Sequence, residues 1–355
     1  MRTRIVAALV VSALVLVAAC SSNNSNGTGG SAEAGDTVTL VTHDSFAVSK
    51  SVLKAFTQQT GIKVKVLKNG DAGAALNQAI LTKDNPLGDA FFGVDNTFLS
   101  RALKAGIFVP YTAKGLDRVH EELQLDDQNR VTPVDYGDVC LNYDKQWFAD
   151  KNLAVPHTLD DLTDPAYKDR LVVENPATSS PGLAFLLATV AKFGVNGWKS
   201  YWTKLRDNGV KVVDGWEQAY DTEFSAGSGH GDFPLVVSYA SSPPAEVYYA
   251  DPTPPTAPTA ALLDTCFRQV ELAGVLKGAE HPKAAQELID FMLAEKFQAD
   301  IPLQMFVFPA REGTPLPSVF TKYAEVPKHP FTLPPSEIGA KRDEWIEQWT
   351  NTVLR

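Results

Sequence analysis

Positive charge is in deficit. The chain has 32 Lys and Arg against 42 Asp and Glu, a formal net charge of −10. That balance argues against nucleic acid as a partner. It favours a cationic ligand only weakly, because acidic surfaces are common for solubility. Metal-ligand spacing is also missing. The six histidines (His43, His120, His157, His230, His281 and His329) form no HExxH-like pattern, so no metal site is read. There is no GxSxG elbow and no P-loop, and Ser179 has no His partner visible along the chain. The chain is therefore read as a non-enzyme that carries no cofactor. After the first residues no stretch is apolar enough to span a membrane. No internal repeat is present.

What stands at the start is a leader. Arg2 and Arg4 precede an apolar run over 5–19, then Val17-Ala18-Ala19-Cys20. A basic start, a short apolar stretch and small residues at a cut site mark an export signal. A Cys directly after Val-Ala-Ala resembles a lipobox, where the chain is cut before Cys20 and Cys20 is acylated. The other reading is a plain signal peptide, or a membrane helix with an incidental Cys, for which the run is short. Residues 21–36, SSNNSNGTGGSAEAGD, then make a polar, glycine-rich tether. The expected location is extracytoplasmic. The protein is held at the outer face of the plasma membrane, and the lipid on Cys20 is its only membrane contact.

Cysteine is scarce: Cys20, Cys140 and Cys266 are the three present. With Cys20 on lipid, the other two form one pair in an oxidising compartment, which predicts a disulfide. Both lie in strand-like stretches, so the bridge would set two strands side by side. Two buried free thiols are the alternative.

About 320 residues follow Asp36, enough for two lobes. Residues 37–42 (TVTLVT) alternate like a strand, and 49–60 carry Val52, Leu53 and Phe56 on one helical face before Gly61. A strand over 62–67, a helix carrying Leu76, Ile80 and Leu81, a strand over 90–94 and a helix over 98–105 continue the alternation. This βαβαβα order is that of an open, mostly parallel sheet, in which ligands bind beyond the carboxyl ends of the strands. Those ends carry His43-Asp44-Ser45, Asn69 to Asp71, and Asp95-Asn96. Residues 131–143 read as a crossover strand interrupted at Asp135-Tyr136-Gly137. The α/β pattern then repeats from Leu159 to Ser241, and residues 265–274 return as a second crossing strand. Two α/β lobes joined by two crossing strands make a hinged clamshell.

Residues 171–190, LVVENPATSSPGLAFLLATV, hold the sharpest local signal. A buried strand ends at Asn175-Pro176. Thr178, Ser179 and Ser180 then precede Pro181, which suits a first helical position. Hydroxyls and free N–H groups at a helix start can hold a phosphate, a hydroxyl or a carboxylate. Equally, Thr178 or Ser180 caps its own helix. Aromatic residues stand near the other strand ends: Trp216 after a Gly, Tyr239 beside Ser241 and Ser242, and Tyr136 in the crossover. Such faces near Asp44, Asp71 or Asp95 suit a flat cationic ligand. Trp198, Tyr201, Trp202, Trp345 and Trp349 are read as core.

The runs VTHDSF, KAF, GDAGAAL, GVDN, VDYGDVCLNYDK, ENPATSSPGLAFLLA, VVDGWEQAY, VVSYASSP, FMLAEKFQADIP and RDEWIEQW, in that order, resemble the thiamine-binding protein family of bacterial ABC importers. The resemblance covers nearly all of the mature chain. It implies an α/β, two-lobed periplasmic-binding-protein fold of type II with two crossover hinge strands. Lobe 1 would be 37–135 with 266–312, and lobe 2 would be 136–265 with 313–355. It also implies a monomer that captures thiamine or its phosphate esters and delivers them to a membrane permease with an ATPase partner. Position by position, Asp71, Ser179, Trp216 and Tyr239 match ligand-contacting positions. Asp71 would face the cationic or amino-bearing ring, Thr178 to Ser180 the hydroxyl or phosphate end, and Trp216 and Tyr239 would stack. The departures are His43 and Phe306, where the family pattern has Tyr and Trp, a missing Trp in AVSKSV, and Ala245 or Glu246 in place of a Tyr. Within the same fold the alternative ligand is ferric iron, with Tyr248-Tyr249 and His43 as its donors, or another small heteroaromatic molecule.

Overall fold

A computed structural model describes residues 37–227 and 230–355, all within one compact unit. The leader, the tether and Cys20 lie outside the described residues. Among the described residues nine strands form one sheet: β1 Thr37–Thr42, β2 Lys63–Lys68, β3 Ala90–Asp95, β4 Thr132–Asp144, β5 Leu171–Glu174, β6 Lys211–Val213, β7 Leu235–Tyr239, β8 Thr259–Val275 and β9 Phe308–Pro309. Their order is β2-β1-β3-β8-β4-β7-β5-β6, with β9 on β4. At one end β1 pairs in parallel with β2 and β3, and at the other β5 pairs in parallel with β6 and β7. The long strands β4 and β8 run antiparallel to each other between these halves. This is the expected arrangement of two α/β halves joined by two crossing strands.

Local chemistry accounts for the elements. The helix Lys50–Thr60 buries Val52 and Phe56 and stops at Gly61, whose φ of 79° is the left-handed conformation glycine adopts without cost. The helix Ala72–Leu81 starts at Asp71, whose side chain accepts the Ala72 N–H. Pro181 stands in the first turn of the helix Ser180–Asp207, as its missing N–H permits. Gly194, at φ 65° and ψ 178°, breaks that helix in two. Trp198 and Trp202 are fully buried there, and Trp202 donates to Thr189 Oγ1 at 2.9 Å.

Two expectations change. Asp135, Tyr136 and Gly137 do not interrupt the crossover; they pair with Glu271, Val270 and Gln269 of β8. Bulges on either side absorb the irregularity instead. And β8 begins at Thr259 rather than 265, directly after the proline-rich residues 251–258. The disulfide Cys140–Cys266 closes at the second bulge and joins the two crossing strands, as expected.

The terminal helix Pro335–Val353 is shared by both halves. Trp349 meets Trp202 edge-on at 5.4 Å, while the Arg342 guanidinium lies 4.7 Å from the Phe98 ring. Among the described residues no helix is long and apolar enough to cross a membrane.

Candidate ligand-binding site

The parallel strands of both halves point their carboxyl ends at one cavity of about 750 Å³. His43 follows β1, Asp71 follows β2, Ser180 follows β5, Trp216 follows β6, and Tyr239 ends β7; Gln269 and Glu271 reach the cavity from the middle of β8. The space suits a ligand of a few rings.

Asp71 links the two halves. Its Oδ1 accepts the Ala72 N–H of its own helix at 2.6 Å, and its Oδ2 accepts the Trp216 N–H of the opposite half at 2.8 Å. Beside it the Ala74 N–H donates to the Thr178 carbonyl at 3.1 Å. Burial pushes the Asp71 carboxyl above its usual range; the Trp216 N–H, His43, the Ala72 N–H and the Ser179 hydroxyl pull it back.

Trp216 and Tyr220 form the aromatic wall. Their rings stack at 5.0 Å with 14° between planes. The wide turn of a π-helix over Gln218–Glu223 sets Tyr220 against Trp216. The indole Nε1 donates to Ser238 Oγ at 2.9 Å, and that hydroxyl shares a hydrogen bond of 2.8 Å with Ser242. The ring is therefore fixed in orientation. Tyr239 donates its hydroxyl to Gln269 Oε1 at 3.1 Å.

The floor is ionic. His43 Nε2 lies 3.0 Å from Glu271 Oε1. Burial by itself would lower the His43 pKa, but the Glu271 carboxylate outweighs it and holds the imidazole above its usual value. Gly93 makes room for this ring: a Cβ there would sit 2.5 Å from His43 Cδ2. On either side of Glu271, Asp95 of β3 and Asp135 of β4 occupy the paired positions. Burial, then Glu271, drive the Asp135 carboxyl well up. Burial raises Asp95 to about 6 against the hydrogen bonds it receives.

Of the expected site residues, His43, Asp71, Ser180, Trp216, Tyr239 and Phe306 line the cavity. The others have different posts. Asp44 accepts the Gly70 N–H at 3.0 Å and so holds a turn. Asp95 accepts the Thr97 and Phe98 N–H groups and caps a helix start. Tyr136 stacks on Phe308 at 5.4 Å with Arg268 over its ring. Thr178 donates its hydroxyl to the Asp214 carbonyl at 2.7 Å. Ser179 and Ser241 are fully buried, and neither hydroxyl has a hydrogen-bond partner among the described residues. Sequence reasoning missed Tyr220, Ser242, Gln269 and Glu271 as lining residues. Tyr220 had a signal, four residues after Trp216; Glu271 had none until β8 was known to cross under the site. Ala245 and Glu246, which stand where a family Tyr was expected, both line the cavity, as do Tyr249 and Met305.

A two-halved α/β molecule with a ligand-sized cleft at the strand ends is a binding protein of the clamshell class. The model of the bacterial extracellular solute-binding proteins matches residues 85–330, and the chain belongs to that family, whose members serve transport and are not enzymes. It is 29% identical over 322 residues to the thiamine-binding periplasmic protein of Escherichia coli, covering 90% of this chain and 94% of that one. The thiamine-binding periplasmic protein of Brucella suis is 28% identical over 331 residues, covering 91% and 94%. A solved periplasmic thiamin binding protein superposes with a TM-score of 0.79 at 28% identity, covering 90% of this chain and 96% of that one. Iron-bound HitA from Pseudomonas aeruginosa shares the fold at a TM-score of 0.70 and 22% identity, covering 89% and 99%. The fold is thus that of type II periplasmic binding proteins.

Proposed function

We propose that this protein captures thiamine outside the plasma membrane and hands it to an ABC permease driven by an ATPase partner. The observation that carries the reading is the Trp216–Tyr220 stack standing in the same cavity as the Asp71 carboxyl. A stacked aromatic wall suits a flat cationic ring, and a carboxylate suits its amino group or its charge. The relatives named for thiamine binding add support. Ser180, Tyr239, Met305 and Phe306 line the same cavity.

In this reading lobe 1 is 37–135 with 266–312 and lobe 2 is 136–265 with 313–355, the terminal helix bridging them. The protein works as a monomer, anchored by a lipid on Cys20. Ferric iron is the weaker reading. Tyr248 and Tyr249 pack against each other and on Phe306.

The test is calorimetric titration of thiamine into the chain from Ala32 onward, unfolded and refolded first to strip carried-over ligand. Saturable binding tighter than about micromolar, near −8 kcal/mol, is expected. No heat with thiamine, together with a visible phenolate band on adding ferric salt, would move the ligand to iron.

A further inference from the structure

The two crossing strands lose register beside the ligand wall. From the Val139–Phe267 pair to the Leu141–Leu262 pair, β4 advances two residues and β8 advances five. Leu263 to Cys266 therefore have no register partner on β4, and the backbone ladder is interrupted. Cys140 and Cys266 lie in this gap, both fully buried, and their disulfide spans it. One hydrogen bond helps: the Leu141 N–H donates to Thr265 Oγ1 at 3.0 Å. The Cys266 carbonyl accepts the Phe331 N–H at 2.7 Å, not a donor of β4.

Next to the gap stands the frame that holds the aromatic wall. Cys140 pairs with Ser238 of β7, and Val139 pairs with Tyr239. Ser238 Oγ takes the Trp216 indole N–H at 2.9 Å and shares a hydrogen bond of 2.8 Å with Ser242. Ser242 Oγ also accepts the Tyr239 N–H at 3.1 Å. Beyond the bridge on β8, Gln269 takes the Tyr239 hydroxyl at 3.1 Å. Ala240, next to Tyr239, packs with both cysteines in one small apolar cluster. The aim of Trp216 and Tyr239 thus depends on β4, β7 and β8 keeping their places where backbone bonds between β4 and β8 are missing.

We infer that the Cys140–Cys266 bridge is a positioning element of the ligand site as well as a staple of the fold. It stands in for the missing ladder and fixes the Ser238–Tyr239–Gln269 frame that aims Trp216 and Tyr239. The inference rests on the thiamine reading for its ligand. Its physical basis is preorganisation: a wall already held in its binding geometry bears no ordering cost when ligand arrives, and a loosened wall does. The coupling is reciprocal. If the bridge tightens ligand binding, bound ligand favours the bridge by the same factor.

Two measurements test it on the chain from Ala32 onward, the compact unit. The first is calorimetry with thiamine on the bridged chain and on the Cys140→Ala, Cys266→Ala double variant, well below the unfolding midpoint of either. A bridge that only stabilises the fold leaves the affinity unchanged there, because nearly all of the variant stays folded. The expected result is instead a loss of about tenfold or more. The second measurement keeps every residue and serves if the variant misfolds. The chain is equilibrated with a dithiol and its cyclic disulfide, so that reduction makes two protein thiols and oxidises the dithiol. Free thiols are then counted at rising thiamine. The shift toward the bridged form should level off at about tenfold, the ratio of the two affinities. No shift overturns the inference. So does a shift that grows without limit while the reduced chain loses its secondary structure by circular dichroism, because the bridge then acts on folding alone. Equal affinity of the bridged chain and the variant also overturns it and leaves the thiamine reading standing. Failure of the bridged chain to bind thiamine overturns the thiamine reading and this inference with it.

Discussion

Gly73→Ala should uncouple ligand binding from fold stability. Gly73 is the second residue of the helix Ala72–Leu81, where Ala is the better helix former by up to about 1 kcal/mol. In isolation the change would help. But the added Cβ would lie 2.7 Å from the Thr178 carbonyl oxygen and 2.8 Å from both the Thr178 carbonyl carbon and Phe98 Cζ. A backbone carbonyl cannot swing aside as a long side chain can. The same contact carries the Ala74 N–H to Thr178 carbonyl bond of 3.1 Å and lies beside the Asp71–Trp216 bond of 2.8 Å. The strain therefore falls on the joint between the β1–β3 half and the β5–β7 half. Overpacking of this kind costs about 1–3 kcal/mol, and a hydrogen bond lost with it about 1 more. If ligand is held with the halves joined, affinity for thiamine should fall roughly thirtyfold to a thousandfold. Calorimetry gives the affinity, and thermal unfolding without ligand gives the stability of the halves themselves. The expected pair is a large affinity loss with an unfolding midpoint within about 3 °C of the parent, since each degree is a fraction of a kcal/mol in a chain this size. An unchanged affinity would refute the reasoning. So would a midpoint loss matching the affinity loss, which would make Gly73 an ordinary core position.

Trp216→Ala should weaken thiamine binding by well over tenfold, because cation–π stacking of a desolvated cation is worth about 2 kcal/mol; an unchanged Kd would return Trp216 to a packing role. Stability should rise as pH falls from 8 to about 5. Burial holds Asp95 up at about 6 in the folded protein, above its ordinary 3.8, so its ionisation burdens the folded state above pH 6 and is relieved as pH falls toward 3.8. His43, held above its ordinary 6.5, adds stability in full below 6.5 and loses it as pH climbs through its folded value. Asp95→Asn should remove up to about 3 kcal/mol of that pH dependence in urea unfolding, and identical pH profiles for the variant and the parent would count against it. Replacing Cys140 and Cys266 with Ser should cost about 2–5 kcal/mol, because the bridge closes a loop spanning 126 residues. Equal urea midpoints with and without reductant would show the bridge to be idle.

Much of the fold was legible because its signals are local. Period-two and helical patterns, Gly61 as a helix stop and Pro181 in a first turn all act within a few residues. The disulfide was legible too, since a pair of cysteines left after Cys20 has one partner each. The site was legible at its strand ends, where His43, Asp71, Trp216 and Tyr239 stand. Elsewhere a residue type admits two uses. Asp44, Asp95 and Thr178 are polar and end strands, yet each bonds to nearby backbone, because an unpaired N–H or hydroxyl inside a protein is costly. Asp135 and Tyr136 looked like a break in a strand because their alternation fails, and bulges restore it.

By itself the sequence determined the two α/β units and the crossing strands, and it placed aromatic residues and carboxylates near the strand ends. Tertiary structure alone decided which carboxyls meet. Glu271 lies 228 residues from His43 along the chain, and only the pairing of β8 between β3 and β4 brings it under that imidazole and between Asp95 and Asp135. Tertiary structure likewise turned the hydroxyls of Thr178 and Ser179 inward, with Asp71 closing across the cleft on Trp216. Hydrophobic period and turn chemistry are properties of neighbours in sequence. Electrostatics and hydrogen-bond satisfaction are properties of neighbours in space, and those were set when the two halves came together.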